Sequence, residues 1–189
     1  PGGMRARDQI GGELGPIGPG MDEVQVGDRP GGDPVGGHRG QVEEHRRLAV
    51  FAGEWAGEEM VHPSRWNAGG PATSHVVARV DLNGFYLIQD TRQMRDGKET
   101  FATHGVFTYD REDRTYKLFW HDSLGYYPPS PASGGLTGKT LILVRGSLRG
   151  NARHVYEIID DDSYSMKIQF SPDAEGWADV LTGVYRRIH

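Results

Sequence analysis

The chain has 189 residues, a formal net charge of −5 and no cysteine. Without cysteine there is no disulfide framework, no thiolate zinc site and no thiol nucleophile. Six acids against four arginines in the first forty residues account for −2 of the charge and leave −3, of mixed sign, on the rest, which argues against a nucleic-acid footprint.

Residues Pro1 to Gly40 hold thirteen of the 28 glycines and five of the eleven prolines, while all eighteen aromatic residues lie at or beyond Phe51. Such a segment cannot bury enough apolar surface to offset its ordering entropy. Residues 1–40 are therefore expected to form a disordered Gly/Pro-rich tail, and residues 41–189 a single domain. The chain starts at Pro1 with Met4 close behind, which fits a fragment or a reading frame extended upstream, so the tail need not belong to the natural protein. No apolar run is long enough to span a membrane and no signal-peptide core is visible; a cytoplasmic location is the default expectation.

In chain order, Gln41 to about Val50 reads as a short helix, with Val42, Leu48 and Phe51 apolar and Glu43, Glu44, Arg46 and Arg47 on an exposed face. Beyond it the dominant period is two. Val76, Ala78, Val80 and Leu82 alternate with Val77, Arg79 and Asp81, and Phe85, Leu87, Gln89 and Thr91 with Tyr86, Ile88, Asp90 and Arg92. Asp96-Gly97 is a two-residue hairpin turn of the primed type. Phe101, Thr103, Gly105, Phe107 and Tyr109 share one strand face, and a turn at Asp110 to Arg114 leads to Tyr116, Leu118 and Trp120.

Further strands are read at Leu141–Val144, at Val155–Ile159, at Tyr164, Met166, Ile168 and Phe170, and from Trp177 to Ile188. Two long loops, 62–72 with Trp66 and 124–135 with Tyr126 and Tyr127, interrupt the series and suit a mouth or a lid. Nine or ten closely spaced strands with one short helix predict an all-β domain, a sandwich or a barrel.

Several residues invite chemistry. His104 is read either as a base or ligand anchor near a barrel cavity or as a histidine hydrogen-bonded across strands. Trp120-His121-Asp122-Ser123 resembles a triad in composition only, because strand neighbours point to opposite faces. Asp122 shares a face with Trp120 and either orients a group inside or fixes the following turn. One of Gln89 and Asp90 must face inward and requires a partner, with Arg79 or Arg145 available; a head-group anchor is the functional alternative. The eight histidines show no tight ligand spacing, so no metal is expected, and neither Gly134-Gly135 nor the tail glycines are followed by Lys-Ser or Lys-Thr on a helix, so no phosphate-binding loop is expected.

Phe51-Ala52-Gly53-Glu54-Trp55 reads F-x-G-x-W, and the far end of the chain reads Tyr185-Arg186-Arg187-Ile188. This pairing resembles the calycin superfamily, which comprises lipocalins, fatty-acid-binding proteins and nitrobindin-like barrels. The resemblance implies an up-and-down β-barrel closed at one end by Gly53 and Trp55 with a guanidinium stacked on the indole; Arg187 is favoured for it over Arg186. A resemblance to the bacterial family called domain of unknown function 1579 extends over most of residues 45–188. It rests on His45-x-x-Leu48-x-x-Phe51-x-Gly53-x-Trp55-x-Gly57-Glu58-Glu59, His62-Pro63-Ser64, Leu82-x-Gly84-Phe85 with Gln89-Asp90, His104-Gly105-Val106-Phe107 and Trp120-x-Asp122-Ser123-x-Gly125. It implies the barrel and no particular activity. Gly183 and Tyr185 stand where fatty-acid-binding proteins carry a carboxylate clamp, and no histidine precedes the terminal run as in the haem-ligating relatives.

Together these readings predict binding of a small, apolar or amphipathic molecule in a barrel cavity, without cofactor or metal. Trp66, Gln89, His104, Trp120, Asp122 and Tyr126 are the candidate ligand contacts, and a homodimer is compatible. The alternatives are an enzyme using His104 as general base, and an interaction module whose barrel is filled by Phe107, Trp120, Met166 and Phe170.

Overall fold

The structure is a computed structural model in which residues 40–64, 68–125 and 130–189 are described. The tail, Trp66, Tyr126 and Tyr127 lie outside the described residues, so the lid expected of those aromatics does too.

The strand period read from the sequence is realised as ten antiparallel strands: β1 (Gly53–Val61), β2 (Gly70–Asp81), β3 (Tyr86–Arg95), β4 (Lys98–Asp110), β5 (Thr115–Asp122), β6 (Ala132–Thr137), β7 (Thr140–Ser147), β8 (Gly150–Asp160), β9 (Ser163–Ser171) and β10 (Ala178–Arg187). Each pairs with its sequence neighbours, and β10 pairs back onto β1, from Trp55 opposite Arg187 to Val61 opposite Leu181, so the sheet closes into an up-and-down barrel. Closure removes both sheet edges, and ten strands leave an interior wider than a single layer of side chains.

The helix is shorter than expected. α1 spans Glu43–Arg47 and continues as a 3-10 turn from Leu48 to Phe51. Glu43 and Glu44 at its start and Arg46 and Arg47 at its end complement the backbone dipole. Leu48 and Phe51 are buried, and the Phe51 ring packs edge-on against Tyr156 and Tyr164. Arg47 donates to the carbonyls of Leu136 and Gly138, fastening this segment to the β6–β7 turn.

The turns obey local chemistry. Asp96 and Gly97 both take positive φ, as a primed two-residue hairpin requires. The main correction concerns β6. Sequence reading places residues 124–135 in a loop, whereas Ala132 to Thr137 form a strand. Its Ala-Ser-Gly-Gly composition carries almost no strand propensity; pairing with β7 from Ser133↔Val144 to Thr137↔Thr140 supplies what propensity lacks.

β6 is also too short to line the whole of β5. Their ladder contains only Tyr116↔Gly134, Lys117↔Ser133 and Leu118↔Ala132. Phe119 to Asp122 therefore continue beyond the start of β6, and among the described residues no strand pairs with them on that side.

Candidate ligand-binding interior

Strand alternation divides the interior into two halves. At the end covered by α1, Trp55, Leu87, Phe107, Tyr116, Leu118, Leu141, Tyr156, Tyr164 and Tyr185 are buried and form a dense aromatic floor. Trp55 donates its indole N–H to the Phe51 carbonyl at 3.0 Å. The Arg187 guanidinium lies 4.0 Å from the Trp55 ring centroid. It also donates to the carbonyls of Ala52, Val50 and Asp161. Gly53 makes room for this: its φ is +133°, and a Cβ there would meet Arg187 Nη1 at 2.2 Å.

Above the floor the inward side chains turn polar. Glu59 is in phase with Trp55, Gly57 and Val61 and is buried. Its carboxylate accepts from the Tyr185 hydroxyl at 2.5 Å and from Gln93 Nε2 at 2.6 Å. Thr100 Oγ1 in turn donates to Gln93 Oε1 at 3.2 Å. The Tyr185 ring stacks on Tyr164 with centroids 4.7 Å apart, and Gly57 admits it, since a Cβ there would meet the ring at 2.7 Å. Gln89 hydrogen-bonds the Tyr164 hydroxyl. Burial pushes the phenols of Tyr156, Tyr164 and Tyr185 well above their ordinary range.

On the opposite wall, His154 is only 5% exposed, and its ring lies 4.8 Å from that of Trp120. Burial first, and the nearby Arg145 charge second, hold its imidazole down at about 4, so it is neutral at physiological pH. Among the described residues His154 Nδ1 has no hydrogen-bond partner, and neither have Ser74 Oγ, Thr103 Oγ1 and Tyr156 Oη; a fifth such atom, Tyr116 Oη, lies on the floor near α1. Native interiors seldom leave buried polar atoms unpaired.

The sequence-derived candidates separate when placed in this frame. Gln89 points inward and is buried. Trp120 is half-buried on the inward face of β5, and Asp122 follows it at the open end, where Oδ1 accepts from the Leu124 N–H at 3.0 Å. That hydrogen bond is the turn-fixing role.

His104 is different: alternation turns Thr103, Gly105 and Phe107 inward and leaves His104 outside. There Nδ1 is 2.7 Å from Asp90 Oδ1, with the His104 side chain 48% exposed. His104 thus does not face the interior, and the general-base reading loses its geometry. Arg79 likewise meets Asp90 at 3.4 Å on the outer surface, so this pair is not the buried one expected. Phe170, expected to help fill the barrel, is 39% exposed.

Sequence reasoning did not single out Glu59, Gln93, Ser74 or Thr103 as interior groups, named Arg145 only as a possible partner of an inward Gln89 or Asp90, and weighed His154 only as a possible metal ligand. Their phase relative to Trp55, Leu87, Phe107 and Leu143 is the signal that finds them. Among the described residues no cluster of three or more His, Asp or Glu side chains is suited to hold a metal.

A model of the family described as protein of unknown function (DUF1579) matches residues 41–187. The chain belongs to the DUF1579 family. A search of curated proteins finds no match to this DUF1579 barrel. Among solved structures it is similar to Rv2717c from M. tuberculosis, with 17% identity and a TM-score of 0.60, covering 78% of this chain and 99% of that one. It is also similar to the S-type phycobiliprotein lyase CPES from Guillardia theta, with 12% identity and a TM-score of 0.54, covering 79% of this chain and 94% of that one. At these identities the likenesses show the barrel fold.

Proposed function

We propose that this DUF1579 barrel binds one small amphipathic molecule in the open half of its interior. The observation that carries the reading is a set of buried inward-face atoms without a partner among the described residues: Ser74 Oγ, Thr103 Oγ1, His154 Nδ1 and Tyr156 Oη. A buried donor or acceptor left unpaired costs about 1–3 kcal/mol, and a bound molecule with two or three polar atoms removes that cost. Leu143, Met166, Leu181 and the ring of Trp120 supply the apolar surroundings for its body. This combination of an apolar lining and a few convergent polar groups is what small-molecule sites share.

Native and denaturing mass spectrometry of freshly purified protein tests it, together with titration of the neutral fluorophore N-phenylnaphthylamine. The expected result is either an added mass that disappears on denaturation or saturable binding of one fluorophore per chain, weakened by Thr103→Val with His154→Phe. A protein that shows neither does not bind in this way, and the reading falls.

A further inference from the structure

The ligand chemistry can be narrowed, on the basis of the binding reading above, by the charge that faces the site. Arg145 shares the inward face of β7 with the buried Leu141 and Leu143 and is itself half-buried. Its neighbour across the β7–β8 ladder is Ala152, too small to cover it, and Leu143↔His154 is the next inward pair along that ladder. On the other side the register Ser133↔Val144 brings Ala132, the first residue of β6 and again a small one, alongside Arg145, and the ring of Trp120 on β5 lies near His154.

Arg145 makes no hydrogen bond or ion pair among the described residues, yet its charge is felt at His154. The inward carboxylates are committed elsewhere: Glu59 takes Tyr185 and Gln93, and Asp122 takes the Leu124 N–H. A partly desolvated guanidinium with no counter-charge is expensive to hold. Beside it His154, 5% exposed, presents an unpartnered Nδ1.

We infer that Arg145 and His154 form an oxyanion subsite, and that the ligand is an organic acid whose apolar body packs along Trp120 toward the aromatic floor. The planar guanidinium fork matches two oxygens of a carboxylate or sulfonate. The neutral imidazole adds one N–H without a second full charge. One guanidinium beside a neutral imidazole favours a monoanion over a neutral molecule or a polyanion.

Two fluorophores of nearly the same shape test this: anilinonaphthalene sulfonate, which carries the anion, and N-phenylnaphthylamine, which lacks it. Wild-type protein is expected to bind the sulfonate about tenfold or more tightly than the neutral probe, the range of a charge-assisted hydrogen-bonded pair. Arg145→Gln is expected to abolish that preference while leaving the neutral probe unchanged, and Arg145→Lys to restore part of it. If both probes bind wild-type protein equally, or the preference survives Arg145→Gln, the oxyanion subsite is overturned while the binding reading stands. If neither probe binds, the oxyanion subsite falls, and the binding reading falls with it when native mass spectrometry also shows no bound mass. The wild-type comparison keeps the test decisive should Arg145→Gln fail to fold.

Discussion

Arg187 sits directly across the β1–β10 ladder from Trp55, and its guanidinium covers the indole at 4.0 Å from the ring centroid. Two residues 132 positions apart thus close both the sheet and the floor of the barrel. The same guanidinium holds the carbonyls of Val50, Ala52 and Asp161, so it ties the segment before β1 and the β8–β9 turn to the last strand. Arg187→Met is expected to cost about 2 kcal/mol through the lost charge-assisted bonds. Gly53→Ala is expected to cost a similar amount, about 2 kcal/mol, because φ is strongly positive and the new methyl strikes the guanidinium. Urea unfolding midpoints of both variants check this.

The second expectation concerns Glu59. Tyr185→Phe removes the hydroxyl at 2.5 Å from its buried carboxylate, and a loss of about 2 kcal/mol follows. In the double variant with Glu59→Gln the two losses should fall short of additive by about 1 kcal/mol, since the partners share one interaction. A double-mutant cycle by chemical denaturation measures the coupling.

Acid should act on His154. Its imidazole is held down from 6.5 to about 4 in the folded protein. The unfolded chain therefore takes up the proton first as pH falls. Stability is full above about 6.5 and declines toward 4, by about 3 kcal/mol for this group. His154→Phe is expected to flatten that part of the stability profile; an unchanged slope would show that His154 is not the group responsible.

Alkali should act in the opposite direction on the floor. Burial raises the phenols of Tyr156, Tyr164 and Tyr185, so the unfolded chain loses those protons first. Their contribution is complete below about pH 10 and is lost as pH rises above it. Tyrosinate absorbance should accordingly appear in two stages, exposed phenols first and these three only together with unfolding.

His104 is expected to be nearly silent. The His104–Asp90 pair lies on the outer face with both side chains about half exposed, where such pairs contribute up to about 1 kcal/mol. His104→Ala should leave N-phenylnaphthylamine binding unchanged. A large loss of binding at constant stability would return His104 to the site.

The period-two pattern and the turn residues make an all-β domain with a helix ahead of it legible in the sequence, because each depends on neighbours a few positions away; the barrel is what the family resemblance carried by the F-x-G-x-W motif implies. The same alternation even specifies part of the candidate interior, Glu59 in phase with Trp55. What alternation cannot specify is which of two phases faces in where both carry polar residues, as at His104 and Thr103 or Asp90 and Gln89. Ring closure decided that, by burying the phase of Leu87 and Phe107. Nor is β6 legible, since residues such as Gly134 and Gly135 become a strand only when β7 lies beside them. The juxtaposition of Arg145 with His154 and of His154 with Trp120 depends on three strands meeting across the interior. Only the tertiary structure decided it, because those side chains lie far apart along the chain and are adjacent only once the barrel is closed.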